Sequence, residues 1–140
     1  MANCIGDIKD KRDSALLASG VAANIIDPVD LLLYPHKAFT IWNGGTVTLS
    51  GAAIQINPDQ GGYEQIGNSL VPINPPGTTG GPPNPGLWEN YDNTSFTALA
   101  SGAVKTVFIN GNVARWWRIV GVNNQPPSIM CSGWVYGNAI

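Results

Sequence analysis

Residues 72–86 read PINPPGTTGGPPNPG, six prolines and four glycines in fifteen positions. Proline lacks the N–H that a ladder or helix needs, so this run neither pairs inside a sheet nor continues a helix. It has almost no apolar side chain to bury, and by itself it is expected to move freely. The run therefore reads as a long extended loop, either packed flat on its own domain or held by a neighbouring chain. The second arrangement points to a structural protein rather than a free-standing enzyme. Pro75, Pro76, Pro82 and Pro83 are then candidate contact residues.

Around that loop, 140 residues with 44% hydrophobic content suffice for one core. Charge is scarce: 11% of residues are Asp, Glu, Lys or Arg, against about 25% in an average soluble domain. A surface with few ions loses little solvation when it is covered, which suits a chain that lives in contact with others. Residues 38–92 hold four acids (Asp59, Glu64, Glu89, Asp92) and no base, while residues 93–140 hold Lys105, Arg115, Arg118 and no acid. The middle and the C-terminal third are expected to attract each other, within a subunit or between subunits. Three bases are too few for a nucleic-acid footprint, so no direct nucleic-acid partner is expected.

Cys4 and Cys131 stand far apart with no second cysteine or histidine near either, which excludes a structural zinc site and favours reduced thiols. Residues 15–26 (ALLASGVAANII) follow Lys11 and Arg12 in the manner of a leader, but Asp7, Asp10 and Asp13 spoil its positive flank, so export by this route is not expected. No apolar run approaches the ~18 residues of a membrane helix, and no membrane partner is expected.

Residues 1–37 read as an N-terminal arm with short helices. Apolar Ile8, Leu16 and Leu17 precede Gly20 as a terminator, and Asp27 with Pro28 forms a helix start ahead of Leu31, Leu32 and Leu33. Residues 38–140 read as a β domain that includes the loop 72–86. Residues 38–42 (AFTIW), the turn Asn43-Gly44-Gly45 and residues 46–49 (TVTL) suggest one hairpin. Residues 52–56 follow as a strand, and residues 64–71 contain a weaker one. Residues 104–109 (VKTVFI), Asn110-Gly111-Asn112 and residues 113–122 (VARWWRIVGV) suggest a second hairpin, and residues 128–136 (SIMCSGWVY) the final strand. Alternation puts Trp116 with Arg118 and Val120 on one face and Trp117 with Arg115 and Ile119 on the other, so one tryptophan faces the core. The fold class expected is mainly β, a small antiparallel β-sandwich or barrel with a helical or extended N-terminal arm.

Catalytic chemistry finds little to work with. His36 is the single histidine, wedged between Pro35 and Lys37, and no nucleophile motif, phosphate loop or metalloprotease helix occurs. Glu64 and Glu89, joined by Asp59 or Asp92, lack anything that fixes the separation hydrolysis of a glycoside requires. Asp59, Asn90, Asp92 and Asn93 offer oxygen ligands without calcium-loop spacing. No catalytic residue, metal or cofactor is expected. Asn93-Thr94-Ser95 matches a glycosylation sequon, read as a chance match. Trp88 and Tyr91, directly after the Pro/Gly run, are the more informative residues. Such a pair anchors protein interfaces, with Trp117 as a further candidate, or stacks on a sugar ring.

The charge-poor β region 38–140 and the Pro/Gly run 72–86 together resemble small structural proteins of tailed bacteriophages, particularly capsid decoration or cement proteins. That resemblance implies a non-enzymatic, β-rich, often trimeric homo-oligomer. It would be assembled in the host cytoplasm, bound between capsomers to the major capsid protein or another virion protein, and would staple the shell. A tail, neck or baseplate component, and a carbohydrate-binding module using exposed aromatics, are the alternatives.

Overall fold

A computed structural model describes residues 8–57, 63–72 and 87–139. Ten strands follow in order: β1 (Ile8–Leu17), β2 (Ala23–Asp30), β3 (His36–Asn43), β4 (Gly51–Asn57), β5 (Tyr63–Ile66), β6 (Ser69–Pro72), β7 (Glu89–Asp92), β8 (Val104–Asn110), β9 (Trp116–Val122) and β10 (Ile129–Asn138). Sheet one has the order β1-β10-β3-β8, sheet two the order β2-β9-β4-β7, and β5-β6 form a separate hairpin. Every ladder is antiparallel, and each early strand pairs with its mirror-image late one: β1 with β10, β2 with β9, β3 with β8, β4 with β7, β5 with β6. The chain is thus one long nested ribbon, with β5-β6 at its tip, folded so that successive pairs fall in alternate sheets. This is the winding of a jelly roll. Among the described residues no helix is long and apolar enough to cross a membrane.

The two sheets enclose one sandwich-like core. Leu17, Ile25, Ile26, Phe39, Ile41, Ile54, Trp117, Ile119 and Ile129 are fully buried in a single cluster drawn from both. Close packing is possible because Gly121 and Gly133 carry no Cβ: one added there would come within 2.6 and 3.0 Å of Ile25, respectively.

The N-terminal segment departs from the expectation of a helical arm. Residues 8–17 and 23–30 are strands with no helix, and β1 pairs with β10 along its whole ten-residue length. Leu17, Ile25, Ile26, Val29 and Leu31 all belong to the core, so residues 8–37 are part of the sandwich and no domain boundary falls at residue 37. Asp27 and Pro28, a helix start by local rule, occupy the irregularity between the Ile26–Ile119 and Val29–Trp117 pairs. A bulge is where a missing N–H does no harm to a ladder.

Both expected hairpins are also replaced. Asn43-Gly44-Gly45 and Asn110-Gly111-Asn112 are corners at which the chain leaves sheet one for sheet two, so β3 pairs with β10 and β8 while β9 pairs with β2 and β4. Residues 46–48 form no strand, and Leu49 makes only an isolated bridge to Leu99. The weak strand expected over 64–71 is the β5-β6 hairpin, turning at Gly67 with φ +62°. The run 72–86, beyond Pro72 at the end of β6, lies outside the described residues, as do Pro75, Pro76, Pro82, Pro83 and Cys4.

Candidate functional site

Strand alternation and register together lay out the outer face of sheet one as a grid. Across β1, β10, β3 and β8, the successive rows are Ser14, Ser132, Trp42, Val104; then Arg12, Trp134, Thr40, Thr106; then Asp10, Tyr136, Ala38, Phe108; then Ile8, Asn138, His36, Asn110. Leu16 and Met130 pair at one end. Phe108 is 79% exposed, and Leu16, Trp42, Val104, Met130 and Tyr136 are exposed beside half-buried Trp134. The charged side chains of the grid, Arg12 and Asp10, both stand on the β1 margin, where Arg12 Nε lies 3.5 Å from Asp10 Oδ1. At the grid's centre the Thr40 and Thr106 hydroxyls bond each other at 2.9 Å. At the last row, His36 Nδ1 lies 2.9 Å from Asn110 Oδ1, beside a hollow of about 230 Å³ over Ala38 walled by Phe108 and Tyr136.

Sequence reasoning had not singled out this face, though its signal was present. Residues 104–109 and 129–136 are apolar at both parities, the mark of strands meant to be covered on both sides. Only the register shows that their outward halves form one surface.

The structure separates the residues that the sequence had grouped. Trp88 is half-buried, with the Arg118 guanidinium 4.3 Å from its ring centroid on the outer side of sheet two. Tyr91 instead turns its edge to Trp117, at 5.2 Å between centroids. Trp88 and Tyr91 therefore do not form one platform. Trp117 is the inward tryptophan of its strand: it is fully buried, packs 5.5 Å from Phe39 and donates Nε1–H to the Ala114 carbonyl at 3.0 Å. As a core residue it offers no surface to a partner, which removes it from the interface candidates.

Asp92 is pulled upward by burial, but hydrogen bonds from the Ser95 and Thr94 hydroxyls and backbone N–H groups outweigh that and hold it below its ordinary range. Its carboxylate caps the turn that follows β7. Among the described residues no group of three or more His, Cys, Asp or Glu could hold a metal ion. Arg115 Nη2 meets Asp30 Oδ2 at 2.8 Å, which ties the residue preceding β9 to the N-terminal third. Cys131 is buried, and burial pushes its thiol up to about 11, a packed rather than a reactive sulfur. Lys37 is buried beneath the sheet with its ammonium 4.9 Å from the Trp117 centroid. It donates to the Tyr34 and Gly111 carbonyls at 2.7 Å and to Asn112 Oδ1, and burial lowers it to about 8. All three of its donors are used in tying the Asn110 corner to the Tyr34 loop.

A second feature lies outside sheet two. Gly51, Ala53, Val120 and Val122 floor a groove of about 340 Å³ rimmed by Gln55, Asn90 and Asn93. Gln55 accepts from Arg118 at 2.8 Å and donates to Asn90 at 2.9 Å, so the Trp88–Arg118 stack is braced by amides.

No protein-family model matches the chain, and no curated protein matches it. Among solved structures, a crystal structure of PirA is similar over 96% of this chain and 99% of that chain, at 14% identity and a TM-score of 0.39. A likeness at that level bears on neither the fold nor the function of this chain.

Proposed function

We propose that this protein is a non-enzymatic structural subunit of a virion, of the capsid decoration or cement kind, that works by having its exposed sheet covered in the assembled particle. One observation carries the reading: the outer face of sheet one, with Trp42, Phe108, Val104, Met130 and Tyr136 exposed together on a face whose two charged side chains, Asp10 and Arg12, stand on its β1 margin. A free monomer rarely leaves so contiguous an apolar surface in water, and an extended one marks an interaction site. Jelly rolls serve capsid and lectin domains alike, so the winding does not choose between them, whereas the face favours protein contact.

The test is co-sedimentation of the purified chain with tailed-phage capsid shells stripped of their small outer proteins. The wild type is expected to pellet with shells, and Trp42→Ser is expected to leave it in the supernatant. A chain that ignores shells while pelleting with tails would move the site of action to the tail. A chain that ignores both would overturn the virion reading.

The groove outside sheet two favours a second reading, a carbohydrate-binding module. An apolar floor under an amide rim suits the carbon face and hydroxyls of a neutral sugar. That reading expects Trp88 emission to change on adding glycans, with the change lost in Gln55→Ala, and a glycan array without a hit would remove it.

A further inference from the structure

We propose that the partner covering the outer face of sheet one is a second copy of this chain, with Phe108 of each copy seated in the hollow over Ala38 of the other. This rests on the reading of that face as a surface buried in assembly. Three observations select the occupant.

Extent comes first. Four strands about 4.8 Å apart, over a grid eight residues long at about 3.3 Å per residue, give a flat area of roughly 500 Å². Standing side chains raise its accessible area towards the about 800 Å² per partner of a stable pair. The face is thus sized for one sheet packing on another, as the two sheets already do inside the subunit.

Charge is the second. A surface that meets a copy of itself meets its own charges, so any net charge is repelled across the contact. Here the charged side chains of the margin are Asp10 and Arg12, opposite in sign and already paired with each other. Lys105 and Lys37, the cations of β8 and β3, belong to the other parity of their strands. A foreign partner needs no such neutrality, and a second copy does.

Shape is the third. Phe108 is the most exposed large apolar residue described, a knob standing on the edge strand β8. Beside it lies the hollow over Ala38, bounded by Phe108, Tyr136, His36, Asn110 and Asn138 and touched by Lys37, whose ammonium is turned away to the Tyr34 and Gly111 carbonyls. Knob and hollow sit side by side on the same patch, so a two-fold axis between them lets each copy's knob enter the other's hollow. Such an isologous contact closes at two subunits rather than three.

The experiment is sedimentation equilibrium of the full chain across the micromolar range, with near-UV circular dichroism to confirm the buried Trp117 environment. The wild type is expected to be a dimer. Phe108→Ala removes the knob and Ala38→Leu fills the hollow, and each is expected to raise the dissociation constant at least tenfold. The double variant is expected to dissociate no more readily than Ala38→Leu alone, because a shortened knob no longer needs the filled hollow. Ala100→Ser, in the exposed loop between β7 and β8, is expected to change nothing.

A dimer indifferent to Phe108→Ala and Ala38→Leu overturns the proposal, as does strict additivity of the two. A wild-type monomer that binds shells, with binding lost in Phe108→Ala, also overturns it: the face then takes a foreign protein, and the virion reading stands. A monomer that binds no particle ends both.

Discussion

Two buried polar side chains hold the corners of this fold, and each has a consequence that can be measured. Asn43 is fully buried, donates to the Val47 and Leu99 carbonyls at 3.0 Å each, and accepts from the Gly45 N–H at 2.9 Å. Asn43→Ala strands those groups away from water and is expected to cost about 2–4 kcal/mol. In thermal unfolding that appears as a drop of roughly 6–12 °C. Lys37 acts through pH. Its ammonium is at 10.5 when unfolded and about 8 in place, so between these values the unfolded chain binds more protons and stability rises with pH. The burial penalty is fully present below pH 8. Cys131 works the other way, from 9.0 unfolded to about 11 folded, and lowers stability above pH 9. The urea midpoint is therefore expected to climb from pH 7.5 to 9 and to flatten beyond. Lys37→Met, with its Tyr34 and Gly111 carbonyls left without the donor, should start lower and show no climb. A climb of equal size in the variant would refute the assignment to Lys37.

At the scale of elements, strand positions were legible and strand partners were not. The stretches that became β3, β4, β8, β9 and β10 stand out by β-branched and aromatic content. Alternation puts Trp116 and Trp117 on opposite faces, and only the packing shows that Trp117 is the inward one. Partners failed because turn chemistry is local. The Asn-Gly sequences at 43–45 and 110–112 satisfy the needs of a tight reversal, and a corner between two sheets has the same needs. Gly45 illustrates the difference: its hydrogen atom faces Ile129, and a Cβ there would come within 2.6 Å of that side chain. The N-terminal strands were hidden for another reason. The half-buried parity of β1 begins Lys9, Lys11, Asp13, so alternation is present in burial but absent in hydropathy. Asp13 spends its carboxylate on the Asp27 N–H at 3.0 Å and on Lys11, joining β1 to β2. Of the interface candidates, Trp88 lies half-buried against Arg118 outside sheet two, whereas the wide outer face of sheet one needed register to be seen. Deleting residues 1–17 tests the corrected role of this segment. It strips the ten-residue ladder from β10 and takes Leu17 out of the core. The truncated chain is expected to lose its cooperative thermal transition altogether, whereas a dispensable arm would leave the transition within a few degrees of the full chain.

At the scale of the whole molecule, the nested pairing of early with late strands decides how the chain reaches its fold. Among the described strands only β5-β6 closes through a short turn, and each further pair must bring together segments more distant in sequence, ending with Ile8 beside Asn138. Loop closure is spent before the distant contacts return anything, so folding in milliseconds to seconds, as for other non-local β proteins, is the expected regime. Order follows from the same entropy. Pairs nearer the ribbon tip close at lower cost once their inner neighbours are in place, so β4 with β9 and β7 is expected to form at the barrier and β1 to be added after it. Ile54 of β4 and Leu17 of β1 are both fully buried, and truncation of either to alanine is expected to cost about 2–5 kcal/mol. The two losses should partition differently between rates. Followed by stopped-flow emission of the buried Trp117, Ile54→Ala is expected mainly to slow folding, and Leu17→Ala mainly to speed unfolding. The reverse partition would mean that the chain ends meet first, and that the ribbon closes from its open end rather than from its tip.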